Sequence, residues 1–546
     1  MTQSKQPQGA QLGSYSPLIN STLNELASSN LISRIWEKDA SVWQGEAEDI
    51  TGRLGWLNAA NYMGENILAL NDFAKKVKLL GLKNIVLIGM GGSSLGPYVI
   101  SKIIPSLSKG QSFNVLDSTA PDAIKRTLDD IEIAHSLFLV SSKSGDTSES
   151  MALYKFFWEK TCDAVGFENA GQHFVAITDQ GTPLARLAID RKFLRLFEND
   201  ANIGGRFSVT SYFGFVPAVL TGLNCNELHA RIAHMSKRCE PSVGIRNNPG
   251  GWLGAALAAL YSEGRDKITL IASDSVAPFP LWIEQLLAES IGKSNKGVIP
   301  VVDEPLLEPN IYGDDRVFVY IRMHGDDNAV KDVAIERING YGHPVITIQL
   351  EDNYDIGAEF FRWQMATAVL GHMLGVNPFD QPDVQSAKDA TVNEILKLGS
   401  EITKPIYDKP SDLASLLEDT RAGNYFSILA YVSETEGVKT SLQILRERIA
   451  INKKLTTTLA YGPRYLHSTG QLHKGGPNSG VFLLLVSDPI DALPIPTEDY
   501  GFHDLLLAQM RGDLSALQKL ERKVVCINLG SDPEAGVLRL LASNLF

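Results

Sequence analysis

"KNIVLIGMGGSSLGP", residues 83–97, decides the fold of this chain. Its first half is a nearly unbroken apolar run rich in β-branched residues, without the polar alternation of a strand that has one wet face. Such a run predicts a strand buried on both sides, as in a parallel α/β sheet. Gly89, Gly91 and Gly92 let the backbone turn sharply at the strand's carboxyl end. Ser93 and Ser94 then stand where a helix N-terminus would hold an anion. The spacing is not G-x-G-x-x-G, because Leu95 follows where a third glycine is needed, so a dinucleotide-binding fold gets little support. Alone, the turn reads equally as a plain strand-to-helix connection.

Working outward, "SFNVLDS" (112–118), "SLFLVSSK" (136–143) and "HFVAITD" (173–179) repeat the buried-strand pattern, with amphipathic helix patterns around 95–106 and 121–130. A helical stretch from about Val209 to Gly264 interrupts them. A second series follows: "DKITLIAS" (266–273), "GVIPVV" (297–302), "RVFVYIRM" (316–323) and "HPVITIQL" (343–350), then a long helix over 357–374. The last set is "YFSILAYV" (425–432), "TTTLAYG" (456–462), "VFLLLVSD" (481–488) and "KVVCINLG" (523–530), which is expected to extend the second sheet. The predicted class is α/β, with mainly parallel sheets sandwiched by helices. The expected division is a polar tail over 1–20, one domain over 21–225 and a second over 226–546.

Composition narrows the function. A net charge of −13 argues against nucleic-acid binding, which needs clustered lysine and arginine. An anionic substrate would then need a local site built from backbone N–H groups and helix N-termini. The four cysteines are widely spaced and form no C-x-x-C pair, which favours a reducing cytoplasm over a disulfide framework or a zinc site. The N-terminus has no apolar signal core, and no run is long enough for a membrane span.

"SSKSGDTSES" (141–150) offers the hydroxyls of Ser142, Ser144 and Thr147, the charge of Lys143 and a glycine for close backbone approach. Alone it reads as a solvated turn or an N-cap. Two such loops after neighbouring parallel strands point into one crevice, where open α/β sheets bind ligands, and together they make a phosphate cradle. "GGRFSVTS" (204–211) places Arg206 after two glycines, where it could equally cap or pair. In "LWIEQLLAESIGKSNKG" (281–297), Gln285 and Glu289 lie one turn apart on one helix face. Glu289 sits among Leu287, Ala288 and Ile291, either as one solvated charge or as a carboxylate tuned by partial burial.

These segments, in the order "GMGGSSLGP", "SKSGDTSE", "GGRFS", "AESIGK" and "NPFDQPDV…K", resemble the phosphoglucose isomerase family, which is built from two sugar isomerase domains. The continuation through "YGPRYLHSTGQLHKGGP" is most similar to the isomerase half of fused transaldolase–phosphoglucose isomerase proteins. No transaldolase-sized segment is expected before the first motif. The resemblance implies interconversion of glucose 6-phosphate and fructose 6-phosphate by ring opening and a cis-enediol, without metal or cofactor. It implies Glu289 as the base and Arg206 as the group that stabilises the enediolate. Ser93, Ser142, Lys143, Ser144 and Thr147 would hold the phosphate, and Gly92, Gln285 and Gln381 would contact substrate. Lys388 matches the lysine implicated in ring opening. The family's ring-opening histidine is missing from its usual place, since only His324, His343 and His372 lie over 290–376. "LHSTGQLHKGG" has the look of that segment displaced downstream, so His467 is expected to open the ring, with His473 as the alternative. In the family this histidine comes from a neighbouring subunit, which implies a homodimer with a shared active site. Other readings are a dual phosphoglucose/phosphomannose isomerase and a non-catalytic sugar-phosphate-binding regulator.

Overall fold

The computed structural model describes residues 9–106, 110–383, 391, 394–395, 407–488 and 493–543. A short strand β1 (Gly9–Gln11) precedes the first series: β2 (Asn84–Gly89), β3 (Ser112–Leu116), β4 (Ser136–Ser141), β5 (Phe174–Asp179) and β6 (Arg195–Asn199). These last five form one parallel sheet in the order β3-β2-β4-β5-β6. The second series is β7 (Lys267–Ala272), β8 (Ile299–Val302), β9 (Arg316–Met323) and β10 (Val345–Leu350). It pairs as β10-β9-β7-β8, and β1 adds antiparallel to β10. Helices cover both faces of these sheets, which explains strands that are apolar throughout: every residue of β4 and of β5 is buried.

The third series is β11 (Tyr425–Tyr431), β12 (Thr456–Tyr461), β13 (Gly480–Val486) and β14 (Lys523–Asn528). It does not extend the second sheet. It forms its own parallel sheet, β12-β11-β13-β14. The reason lies at the seam beside β8, where side chains take the place of a backbone ladder. The buried guanidinium of Arg446 donates to Val302 O (2.8 Å) and Asp303 O (2.7 Å) on one side and to Thr457 O on the other. Glu304 accepts from Arg316 and from Thr457 N. Ile299 and Val301 of β8 still share a core with Tyr425, Leu429 and Phe482, so the third sheet is packed against the second without pairing with it.

All three sheets share one topology. Each series starts at an inner strand, adds the next strand on one side, and adds the rest on the other. The switch points fall between β2 and β4, β7 and β9, and β11 and β13, and ligands favour the carboxyl ends of strands at such points. The first of these carries both serine loops.

Candidate active site

The turn after β2 and the loop after β4 lie side by side because their strands are hydrogen-bonded neighbours. Ser141 Oγ donates to Ser93 O (3.0 Å), which ties the two loops together. Gly91 has φ +55°, and a Cβ there would sit 2.7 Å from His467 O. A Cβ on Gly92 would sit 2.0 Å from Gly205 O. The backbones of three separate segments thus meet where only glycine fits.

Around them is a cavity of about 340 Å³, lined by Gly92, Ser93, Lys143, Ser144, Thr147, Arg206, Gln285, Glu289, Gln381 and His467, and also by Arg53 and Asp179. Ser142 is not on this wall. Its hydroxyl is 2.9 Å from Thr147 Oγ1 and accepts from Gly145 N (3.1 Å), so it shapes the loop from behind. Lys143 faces the cavity but is ion-paired with Asp179 and donates to Ala201 O (3.0 Å). Burial pulls the Lys143 ammonium down and pushes the Asp179 carboxyl up, each against the attraction of its partner. Lys388 lies outside the described residues.

Glu289 lies in the last turn of the helix Phe279–Ile291 with its side chain 14 % exposed, enough to face the cavity. One oxygen is 3.5 Å from Arg206 Nη1, and the other accepts from Gln285 Nε2 at 3.3 Å. Arg206 is buried, and its donors are fixed by Ser290 Oγ (2.7 Å), Gln381 Oε1 (2.7 Å), Pro378 O (2.7 Å) and Asp380 O (2.8 Å). Lys293 clamps the same 377–381 segment, donating to Asn377 O (2.8 Å) and to Asp380 O and Oδ1 (both 2.6 Å). Burial, and then the charge of Arg206, bring the Lys293 ammonium down to about 8.

The late segment completes the cavity. His467 Nε2 is 2.8 Å from Glu149 Oε1, and His467 O accepts from Gln285 Nε2 (2.8 Å). Gln471 docks the segment by donating to Gly292 O (2.9 Å) and Asp383 Oδ2 (2.6 Å). His473 instead packs among Tyr425, Tyr465 and Phe482, where burial holds it neutral. His343 and His372 bond backbone carbonyls, and His324 is exposed. His467 and Glu289 line one cavity of one chain.

Sequence reasoning missed Glu149, although it stands inside the quoted serine loop. An acidic residue in the first turn of a helix, here Ser148–Val165, is ordinary dipole matching and signals nothing by itself. Burial alone would raise its carboxyl, but the charge and hydrogen bond of His467 outweigh that and hold it down at about 2. Arg53 and Asp179 carried no motif at all. A second cleft of about 370 Å³ opens between β3 and the third sheet, lined by Lys102, Arg126 and Arg464, the last of which is paired with Asp117 (2.9 Å).

A cleft at the switch point of a parallel α/β sheet, floored by hydroxyl-bearing loops and walled by a carboxylate, an arginine and a histidine, has the groups to hold a small anionic ligand. Residues 74–303 match the family model for phosphoglucose isomerase. It is 26% identical over 428 residues to a glucose-6-phosphate isomerase of Prochlorococcus marinus, covering 71% of this chain and 78% of that one. It is 27% identical over 385 residues to a probable glucose-6-phosphate isomerase of Methanococcus maripaludis, covering 62% and 84%. Among solved structures, a glucose-6-phosphate isomerase from Chlamydia trachomatis shares the fold with a TM-score of 0.57 at 19% identity, covering 71% of this chain and 87% of that one. A hypothetical protein from Thermus thermophilus matches with a TM-score of 0.59 at 22% identity, covering 70% and 98%.

Proposed function

We propose that this protein interconverts glucose 6-phosphate and fructose 6-phosphate, and that Glu289 carries the proton between C2 and C1. The observation that carries the reading is the convergence of Glu289, Arg206 and His467, from three distant parts of the chain, on one cavity floored by the two serine loops. Glu289 is close enough to Arg206 for the guanidinium to meet negative charge forming on an enediolate beside the carboxylate. Ser93, Ser144, Thr147 and the loop N–H groups suit a phosphate, while Ser142 supports the loop and Lys143 adds charge beside Asp179. Gln285, Gln381 and the backbone at Gly92 would contact the sugar. His467, oriented by Glu149, would pass a proton to or from the ring oxygen during opening. Lys388 is retained as a proposed second participant in that step.

We keep two domains, 21–225 and 226–546, with the third sheet as the C-terminal part of the second. The unlinked cysteines fit a cytoplasmic enzyme, and no helix among the described residues is long and apolar enough to cross a membrane. A homodimer with a shared active site is the proposed assembly. A coupled assay on purified protein with fructose 6-phosphate, glucose 6-phosphate and mannose 6-phosphate tests the reading. Turnover of the first two supports it, and added turnover of the third makes the enzyme dual. Binding without any turnover leaves a sugar-phosphate-binding regulator.

A further inference from the structure

We propose that the third α/β unit is part of the catalytic apparatus, and that Gln509, on its helix Phe502–Lys519, is a positioning residue for the His467–Glu149 pair. The proposal rests on the isomerase reading above. Gln509 Nε2 donates to Glu149 Oε1 at 2.6 Å, the same oxygen that meets His467 Nε2 at 2.8 Å. Thr119 Oγ1 donates to Gln509 Oε1 (3.3 Å), which orients the amide with its N–H toward the carboxylate. Gln509 and Glu149 are each 3 % exposed, so water cannot replace the lost donor if Gln509 is removed.

The same helix holds the histidine's segment at two further points. Asp513 lies one turn after Gln509 and so on the same face. Its Oδ2 accepts from Tyr465 Oη (2.6 Å), two residues before His467. Its Oδ1 is ion-paired with Lys474, in the short helix that follows His467. Tyr465 Oη is also 3.1 Å from Tyr431 Oη, at the end of β11. Gln509 thus holds the carboxylate that faces His467, and Asp513 holds the side chains of Tyr465 and Lys474, which flank it in the chain. A ring that must meet a substrate oxygen in one orientation needs both.

The experiment compares Gln509→Leu and the isosteric Gln509→Glu with wild type on fructose 6-phosphate and on an aldotetrose phosphate, whose esterified terminal oxygen cannot close a ring. The expected result is a loss of about tenfold or more in kcat on the cyclic substrate, with tetrose turnover nearly unchanged. Equal losses on both substrates would mean a general structural role and overturn the proposal. The imidazole N–H proton of His467, followed by NMR, gives a readout that does not depend on turnover. A downfield signal in wild type that weakens in Gln509→Leu supports positioning, and an unchanged signal overturns it. Failure of the wild type to turn over either substrate would reject the isomerase reading, and with it the catalytic part of this proposal.

Discussion

Arg206 Nη1 stands 3.5 Å from Glu289 Oε1, close enough to feel the carboxylate, while four of the five guanidinium N–H groups are bonded elsewhere. The arginine spends its hydrogen bonds on Ser290, Gln381, Pro378 and Asp380. Glu289 is therefore not locked into a structural ion pair, and its carboxylate stays available to a substrate.

Glu289→Gln keeps the shape and the contact with Gln285 but removes the proton acceptor. Isomerisation is expected to fall by about 10²–10⁴-fold, with sugar-phosphate binding retained. Near-normal turnover in the coupled assay would reject the base assignment.

Arg206→Lys keeps a charge but cannot satisfy acceptors arranged for a planar fork. Turnover is expected to drop by about 10²-fold, and thermal stability to drop as well, because the buried carbonyls of Pro378 and Asp380 lose donors. A variant with an unchanged melting temperature would contradict the clamp described above.

His467→Ala should impair ring-closed substrate far more than an open-chain one. His473→Ala should cost stability, roughly 1–3 kcal/mol from lost aromatic packing, without changing the ratio between the two substrates. A larger change in that ratio for His473→Ala would reverse the assignment.

Lys293 sets an alkaline limit. Below about 8 its ammonium ties down Asp380, and above about 8 it is neutral and the ion pair is gone. The rate constant kcat/KM is expected to fall as pH rises through 8, and Lys293→Arg should abolish that limb. Unfolding cannot account for the fall. The unfolded lysine still holds its proton between 8 and about 10.5 while the folded one has released it, so this group makes stability rise over that window. A pH–rate profile alongside melting curves checks both signs.

Gly92→Ala should cost activity and stability together, since its Cβ would overlap Gly205 O, whereas Gly205→Ala meets nothing within 4 Å and serves as the control.

The apolar strand runs and the helices between them were legible because a strand buried on both faces must be apolar throughout, whatever it packs against. The serine loops were legible as well, since a glycine turn after such a strand has a local signature. Ser142 shows the limit of that signature. A hydroxyl in a loop is equally able to face a ligand or its own backbone, and here it faces Thr147 and Gly145. The separate third sheet was hidden because its strands look like those of the second, and what parts them is Arg446 and Glu304 at the seam.

By itself, the sequence determined the strands, the two serine loops and the order of the motifs, all of which depend on neighbours in the chain. Tertiary structure alone decided that His467 rather than His473 reaches the cavity, and that Glu149, 318 residues away, is its partner. Both histidines sit in the same polar, glycine-rich stretch. Burial among three aromatic rings removes one from chemistry, while a carboxylate held by Gln509 gives the other its place.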